Sequence, residues 1–199
     1  MMNSTIAKIG YATLTEESEN KFSYGDLKYF VSTEAGGREI SAEPEGEEKS
    51  VYADGITVAN VITNNGYKIN LTLLSIVDDV EKDWFGNDVS TDGNTIIEKG
   101  GASTPKRFAL VAAKERYNAD TLYEIDTYIC CTASRPTRDD KTSEGSFDPN
   151  FPQFSISSIP RPDNKITRIT TYADELPTSI TIPTTVTTTS TTATTKADK

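Results

Sequence analysis

The stretch VYADGITVANVITNNGYKINLTLLSIVDDVEKDWFG, residues 51–86, constrains this chain more than any other. Ile56, Val58, Asn60 and Ile62 fall on one side of an extended segment, with Thr57, Ala59 and Val61 on the other. After Thr63-Asn64-Asn65-Gly66 the alternation resumes, setting Tyr67, Ile69, Leu71 and Leu73 against Lys68, Asn70 and Thr72. Period-two patterning marks strands with one buried face, and Asn-Gly between two such runs predicts a hairpin turning at 63–66. From Asp78 the period lengthens: Val77, Val80 and Trp84 stand at helical spacing. Acidic residues open that segment and Gly86 stands where a helix would end, which predicts one short helix.

Further β-type runs are LKYFVS, RFALVAA, TLYEIDTYICC and, more weakly, FPQFSISSI. In the third, alternation sets Tyr123, Ile125, Ile129 and Cys131 on one side. Several strands with one helix predict a mainly β fold, a β-sandwich or barrel carrying a short flanking helix. Residues 1–26, with the polar run TEESEN and a turn at Tyr24-Gly25-Asp26, read as an N-terminal arm, and residues 27–176 as the β domain. The segment EAGGREISAEPEGEEKS reads as a loop from its Gly and Pro content, with at most a short strand through Arg38–Ala42. The segment ASRPTRDDKTSEGSFDPNFP reads as a long polar loop, free at the surface or ordered by a neighbour. Residues 177–199 are mostly Thr, with too little to bury to offset the entropy of ordering, so a disordered tail is expected. Because Thr favours strands, pairing with a partner stays open.

The chain has 199 residues, a formal net charge of -10 and no histidine. That length suits one domain, whose core needs neither metal nor disulfide. The acidity argues against a nucleic-acid binder, which needs a basic stripe to displace counterions. Without histidine the common Ser and Cys triads and most transition-metal sites are gone. No phosphate-cradling Gly-Lys loop and no Cys-x-x-Cys pair occurs. Asp88, Ser90, Asp92 and Gly93 match the opening of a calcium loop, but Lys99 stands where the bidentate Glu is required, so a turn is the expectation. The adjacent Cys130 and Cys131 are expected to be reduced thiols. No catalytic residue, metal ligand or cofactor is assigned, and an enzyme is not expected. Neither a secretory leader nor an apolar run of membrane-spanning length is read.

The pieces KSVYADG, NNGYKINLTLLSIVDDVEKDWFG, KRFALVAA and YEIDTYICCTASRP, in this order, resemble the major tail proteins of long phages with non-contractile tails that infect Gram-positive bacteria. The resemblance spans roughly residues 5–160; the acidic run and the Thr-rich end lie outside it. It implies a tail-tube fold, assembly into hexameric rings, and stacking of rings into a tube around a tape-measure protein. It also implies tail-terminator or baseplate proteins as partners, a place in the virion after synthesis in the host cytoplasm, and DNA passing through without specific binding. In that setting Glu39, Glu43, Glu45, Glu47 and Glu48 are candidates for the lumen, where they would repel phosphates, or for the ring-to-ring seam. An exposed outer loop is the plainer reading of the same glutamates. The competing function is a surface-attachment or carbohydrate-binding β-module, for which a cluster of exposed aromatic residues would be the mark.

Overall fold

The structure, a computed structural model, describes residues 5–18, 21–53, 56–92, 94–98, 100, 106–117, 119–136, 151–162 and 164–182, without the side chains of 17, 18, 21 and 51–61. It is mainly β and antiparallel. The strands are β1 (Thr5–Ser18), β2 (Lys21–Tyr24), β3 (Lys28–Tyr29), β4 (Gly37–Glu45), β5 (Glu48–Ala53), β6 (Ile56–Ile62), β7 (Gly66–Leu73), β8 (Asp88–Val89), β9 (Ile96–Ile97), β10 (Phe108–Glu115), β11 (Tyr123–Ala133), β12 (Gln153–Ser158) and β13 (Arg168–Ala173); the helix α1 is Asp78–Asp83. The main sheet runs β2–β1–β10–β11–β12–β7–β4, with β3 also beside β1 and β13 also beside β11.

The sheet curls so that β4, at one end, returns towards β1. A Cβ on Gly37 would lie 2.3 Å from the Ile9 side chain, so only glycine permits that approach. Inside the curl, Ile9, Tyr11, Ile69, Leu71, Leu73, Phe108, Leu110, Phe154 and Ile156 are buried against Val80 and Trp84 of the helix region. Trp84 stacks on Phe108, with centroids 4.3 Å apart and planes 5° apart, and meets Tyr11 and Phe154 edge-on. Val80 and Trp84 are thus the apolar face that the helical spacing predicted. Gly86, at φ +68°, takes the left-handed conformation suited to a helix end. Beyond packing, the Tyr11 hydroxyl donates to Asp83 Oδ2 at 2.9 Å, and Lys28 Nζ lies 2.8 Å from the same oxygen.

The other face of β10 and β11 is also covered. Val111, Ala113 and Ile125 meet Leu27, Leu176 and Ile180 there, and the Tyr29 hydroxyl donates to the Pro177 carbonyl at 2.8 Å. The chain at 177–182 is therefore packed on the sheet, which moves the tail boundary set at 177; residues 183–199 lie outside the described set. The sequence expectation also fails at the other terminus. Residues 5–18 are not an arm but a strand inside the sheet, because Ile9, Tyr11 and Ala12 carry enough apolar surface to be fully buried.

The hairpin expected at 63–66 is not a hairpin. β6 and β7 follow one another along the same side of a long hairpin whose other side is β4 followed by β5: Glu45 pairs with Gly66 and Glu48 with Ile62. Backbone bonds from Thr63 N to Glu47 O, 2.9 Å, and from Asn65 N to Glu45 O, 2.7 Å, carry the ladder across the joint. The glycine serves close approach instead of reversal. Gly66 has φ +121°, and a Cβ there would sit 1.8 Å from the Ser158 carbonyl of β12. The hairpin closes at its far end on the pair Ala53–Ile56.

Two further expectations need correcting. In the acidic segment the short strand read through Arg38–Ala42 is present but longer: β4 runs Gly37–Glu45, with Ile40 and Ala42 packed on the core, so the loop reading fails through Glu45. In β11 the register slips between the pairs Phe108–Cys131 and Leu110–Tyr128, and Cys130 takes φ +52°. This bulge puts Cys131 on the Tyr128 face, away from Ile125, so the one-sided row of Tyr123, Ile125, Ile129 and Cys131 is broken. At the same place β11 changes partner, from β13 along 123–128 to β12 along 131–133.

Candidate functional site

Each side of β7 has a strand in register, and opposed residues share a face. Ile40, Leu71 and Phe154 form one inward row, and Ala42, Ile69 and Ile156 the next. The outward rows are then fixed. They are Glu39–Thr72–Gln153, Ser41–Asn70–Ser155 and Glu43–Lys68–Ser157, across β4, β7 and β12. None of these side chains is buried. The result is a polar patch with short side chains at its centre and carboxylates along one margin.

Of the five glutamates singled out in the sequence, Glu39, Glu43 and Glu45 lie along the outward face of β4. Glu47 sits at the joint, where its backbone N–H donates to Thr63 Oγ1 at 2.9 Å, and Glu48 opens β5. All five are exposed. The sequence reading missed their companions on β7 and β12. The signal was present: Lys68, Asn70 and Thr72 are the polar half of the β7 alternation, and Gln153, Ser155 and Ser157 that of β12.

β4 pairs with β7 on one side and with no described strand on the other. Its glutamates and Pro44 guard that edge against indiscriminate pairing. Beyond the joint, β5 and β6 pair with each other and with no other described strand. The long hairpin is thus rooted in the sheet at one end and projects a two-stranded arm at the other.

Reactive chemistry is sparse. Both cysteines are buried thiols, and burial pushes the Cys131 thiol up to about 12, which keeps it protonated at neutral pH. Among the described residues no group of three or more His, Cys, Asp or Glu is placed to hold a metal ion, and no helix is long and apolar enough to cross a membrane. A cleft of about 480 Å³ lies between Lys28–Ala35 and the start of α1, but Lys28 in it is engaged by Asp79 and Asp83.

The calcium-like segment is a closed turn. Asp92 Oδ1 accepts from Ser90 Oγ and from Asn94 N, and Asp92 Oδ2 accepts from Asn94 Nδ2 at 2.9 Å. These bonds from Ser90 and Asn94 hold the Asp92 carboxyl down at about 2. Because the folded value is depressed, the turn's stabilisation by this group is complete above the ordinary carboxylate range and is lost as pH falls towards 2. Asp92 is expected to titrate near 2 by NMR, and added calcium to leave the melting temperature unchanged; an Asp92 shift near 4 or a calcium-dependent rise would contradict the turn reading.

Compared with protein-family models and with curated proteins, the chain matches none.

Proposed function

We propose that this chain is a tail-tube subunit of a long non-contractile phage tail, assembling with copies of itself into stacked rings. The observation that carries the reading is the projecting arm. A two-stranded hairpin is marginal alone in water, so β5–β6 is the kind of element that a neighbouring subunit stabilises. The edge of β4 that no described strand covers supports a head-to-tail contact, and such contacts close into a ring when the rotation between neighbours permits. Six subunits per ring, a tape-measure protein inside and terminator or baseplate proteins at the ends follow from the resemblance.

In this reading the patch of β4, β7 and β12 faces the passing DNA or the next ring. Against its single cation, Lys68, it carries Glu39, Glu43 and Glu45, whose charges repel phosphates. Changing Glu39, Glu43, Glu45, Glu47 and Glu48 together to Gln is expected to alter tube growth, followed by light scattering, or to slow DNA ejection from virions carrying the variant. The ejection effect is expected to shrink as salt rises, because screening weakens the repulsion that is lost. Wild-type growth and ejection would remove the glutamates from either role.

A second reading has one observation in its favour. Tyr117, Leu122 and Tyr172 are exposed near the β10–β11 turn, with Arg116 stacked 4.6 Å from the Tyr172 ring. Exposed aromatic groups of this kind suit a carbohydrate-binding module, and a glycan screen with Tyr172→Ala as control separates the two.

A further inference from the structure

β13 is an edge without the protection that β4 has. It pairs with β11 and with no other described strand, and its sequence RITTYA contains no proline. Its one charge, Arg168, is turned to the sheet: the guanidinium lies 5.3 Å from the Tyr67 ring, and Nε is 3.8 Å from the buried Asp126. Thr170 Oγ1 donates to the same Asp126 at 2.7 Å. Those contacts fix the strand's position and leave its outer hydrogen-bonding edge open, the arrangement that receives an added strand.

The faces beside that edge are built for alternate side chains. On one, Ile169, Thr171 and Ala173 line a cavity of about 250 Å³, closed from the far side by Pro177 and Ile180. On the other, Tyr172 lies under Arg116. A strand laid along β13 would point every second side chain towards the apolar cavity, which suits small β-branched residues.

We propose that the occupant is the Thr-rich tract 183–199 of the same chain. Ser179, Ile180 and Thr181 line the cavity with Ile169 and Thr171, so the tract is attached to a segment that already lies against β13. Nine of the 17 residues from 183 to 199 are Thr, joined by Val186, and these are strand-favouring side chains of the right size. The tract is longer than the six residues of β13, so it reaches along the whole edge. Direct attachment supplies an effective concentration on the order of mM, well above that of a second copy in dilute solution. This inference stands apart from the tail-tube reading.

Hydrogen exchange on the full chain tests it, comparing wild type with the double substitution Thr187→Pro and Thr188→Pro. Adjacent prolines remove an outward amide whichever register the tract adopts. Amides of Arg168–Ala173 are expected to exchange about tenfold faster in the variant at every protein concentration, while those of Val80–Trp84 are unchanged. A synthetic peptide of residues 183–199, added to the variant, is expected to restore slow exchange with a Kd below about 1 mM, and the same peptide with the two prolines is not. Equal exchange in the two chains, or failure of the peptide to protect β13, overturns the proposal. Protection of wild type that appears only as protein concentration rises overturns it too, by assigning the edge to another molecule.

Discussion

Replacing Trp84 by Ala is expected to cost the fold about 3–5 kcal/mol, the range for deleting a large aromatic side chain from a packed core. Trp84 is 1% exposed and meets Tyr11, Phe30, Phe85, Phe108 and Phe154. No single neighbour can fill the space it would leave, because the others are held by the strands that flank it. At about 2–4 °C per kcal/mol for a chain of this size, the melting temperature should fall by on the order of 10 °C. Trp84→Phe separates volume from polarity. The indole Nε1–H is buried with no hydrogen-bond partner among the described residues, so Phe removes such a donor as well as some volume, and the two effects oppose. The Phe variant is expected to lose less than half of what the Ala variant loses in chemical denaturation. Equal losses would show that the stack on Phe108 does not depend on an aromatic ring at position 84.

Gly66→Ala is the second large effect. The residue combines φ +121°, which L side chains rarely adopt, with a carbonyl 1.8 Å from where the Cβ would stand. Relief requires β7 to move away from β12 at Ser158, next to the bulge where β11 changes partner. A loss of at least about 3 kcal/mol is expected, from backbone strain and a broken ladder together. Gly100→Ala is the control, since a Cβ there meets nothing within 4 Å. If Gly66→Ala proves as mild as Gly100→Ala, the close approach of β7 to β12 is wrong.

Those two positions also show what the sequence could and could not disclose. Trp84 was legible because helical spacing, acidic opening residues and a terminal Gly all agree, and local agreement leaves little for the tertiary structure to override. Gly66 was not. Asn-Gly between two alternating runs is a strong local hairpin signal, yet here the glycine answers to Ser158, a contact that no local pattern contains. Asp54-Gly55, between the paired strands β5 and β6, is a comparable sequence signal, but the run before it, KSVYA, alternates less cleanly than KINLTL. β4 was hidden for a related reason. Glutamates, Pro44 and paired glycines depress strand propensity, and an edge strand tolerates all of them because one side is unpaired.

The candidate surface was half visible. Composition picked out Glu39, Glu43, Glu45, Glu47 and Glu48, but their alignment with Lys68, Asn70, Thr72, Gln153, Ser155 and Ser157 depends on the register of three strands that are distant in sequence. β13 escaped notice because RITTYA is short and lies between Pro162 and the Thr-rich end, where turn and low-complexity signals dominate. Its place beside β11 is set by the bulge at Cys130, which frees half of that strand's edge.

Negative-stain electron microscopy of the full chain over a concentration series, with light scattering on the same samples, tests self-assembly most directly. Rings or hollow tubes with a central channel, forming without added ligand as concentration rises, are the predicted result. A monomer that persists up to the solubility limit would contradict the assembly reading and direct attention to the exposed surface around Tyr172.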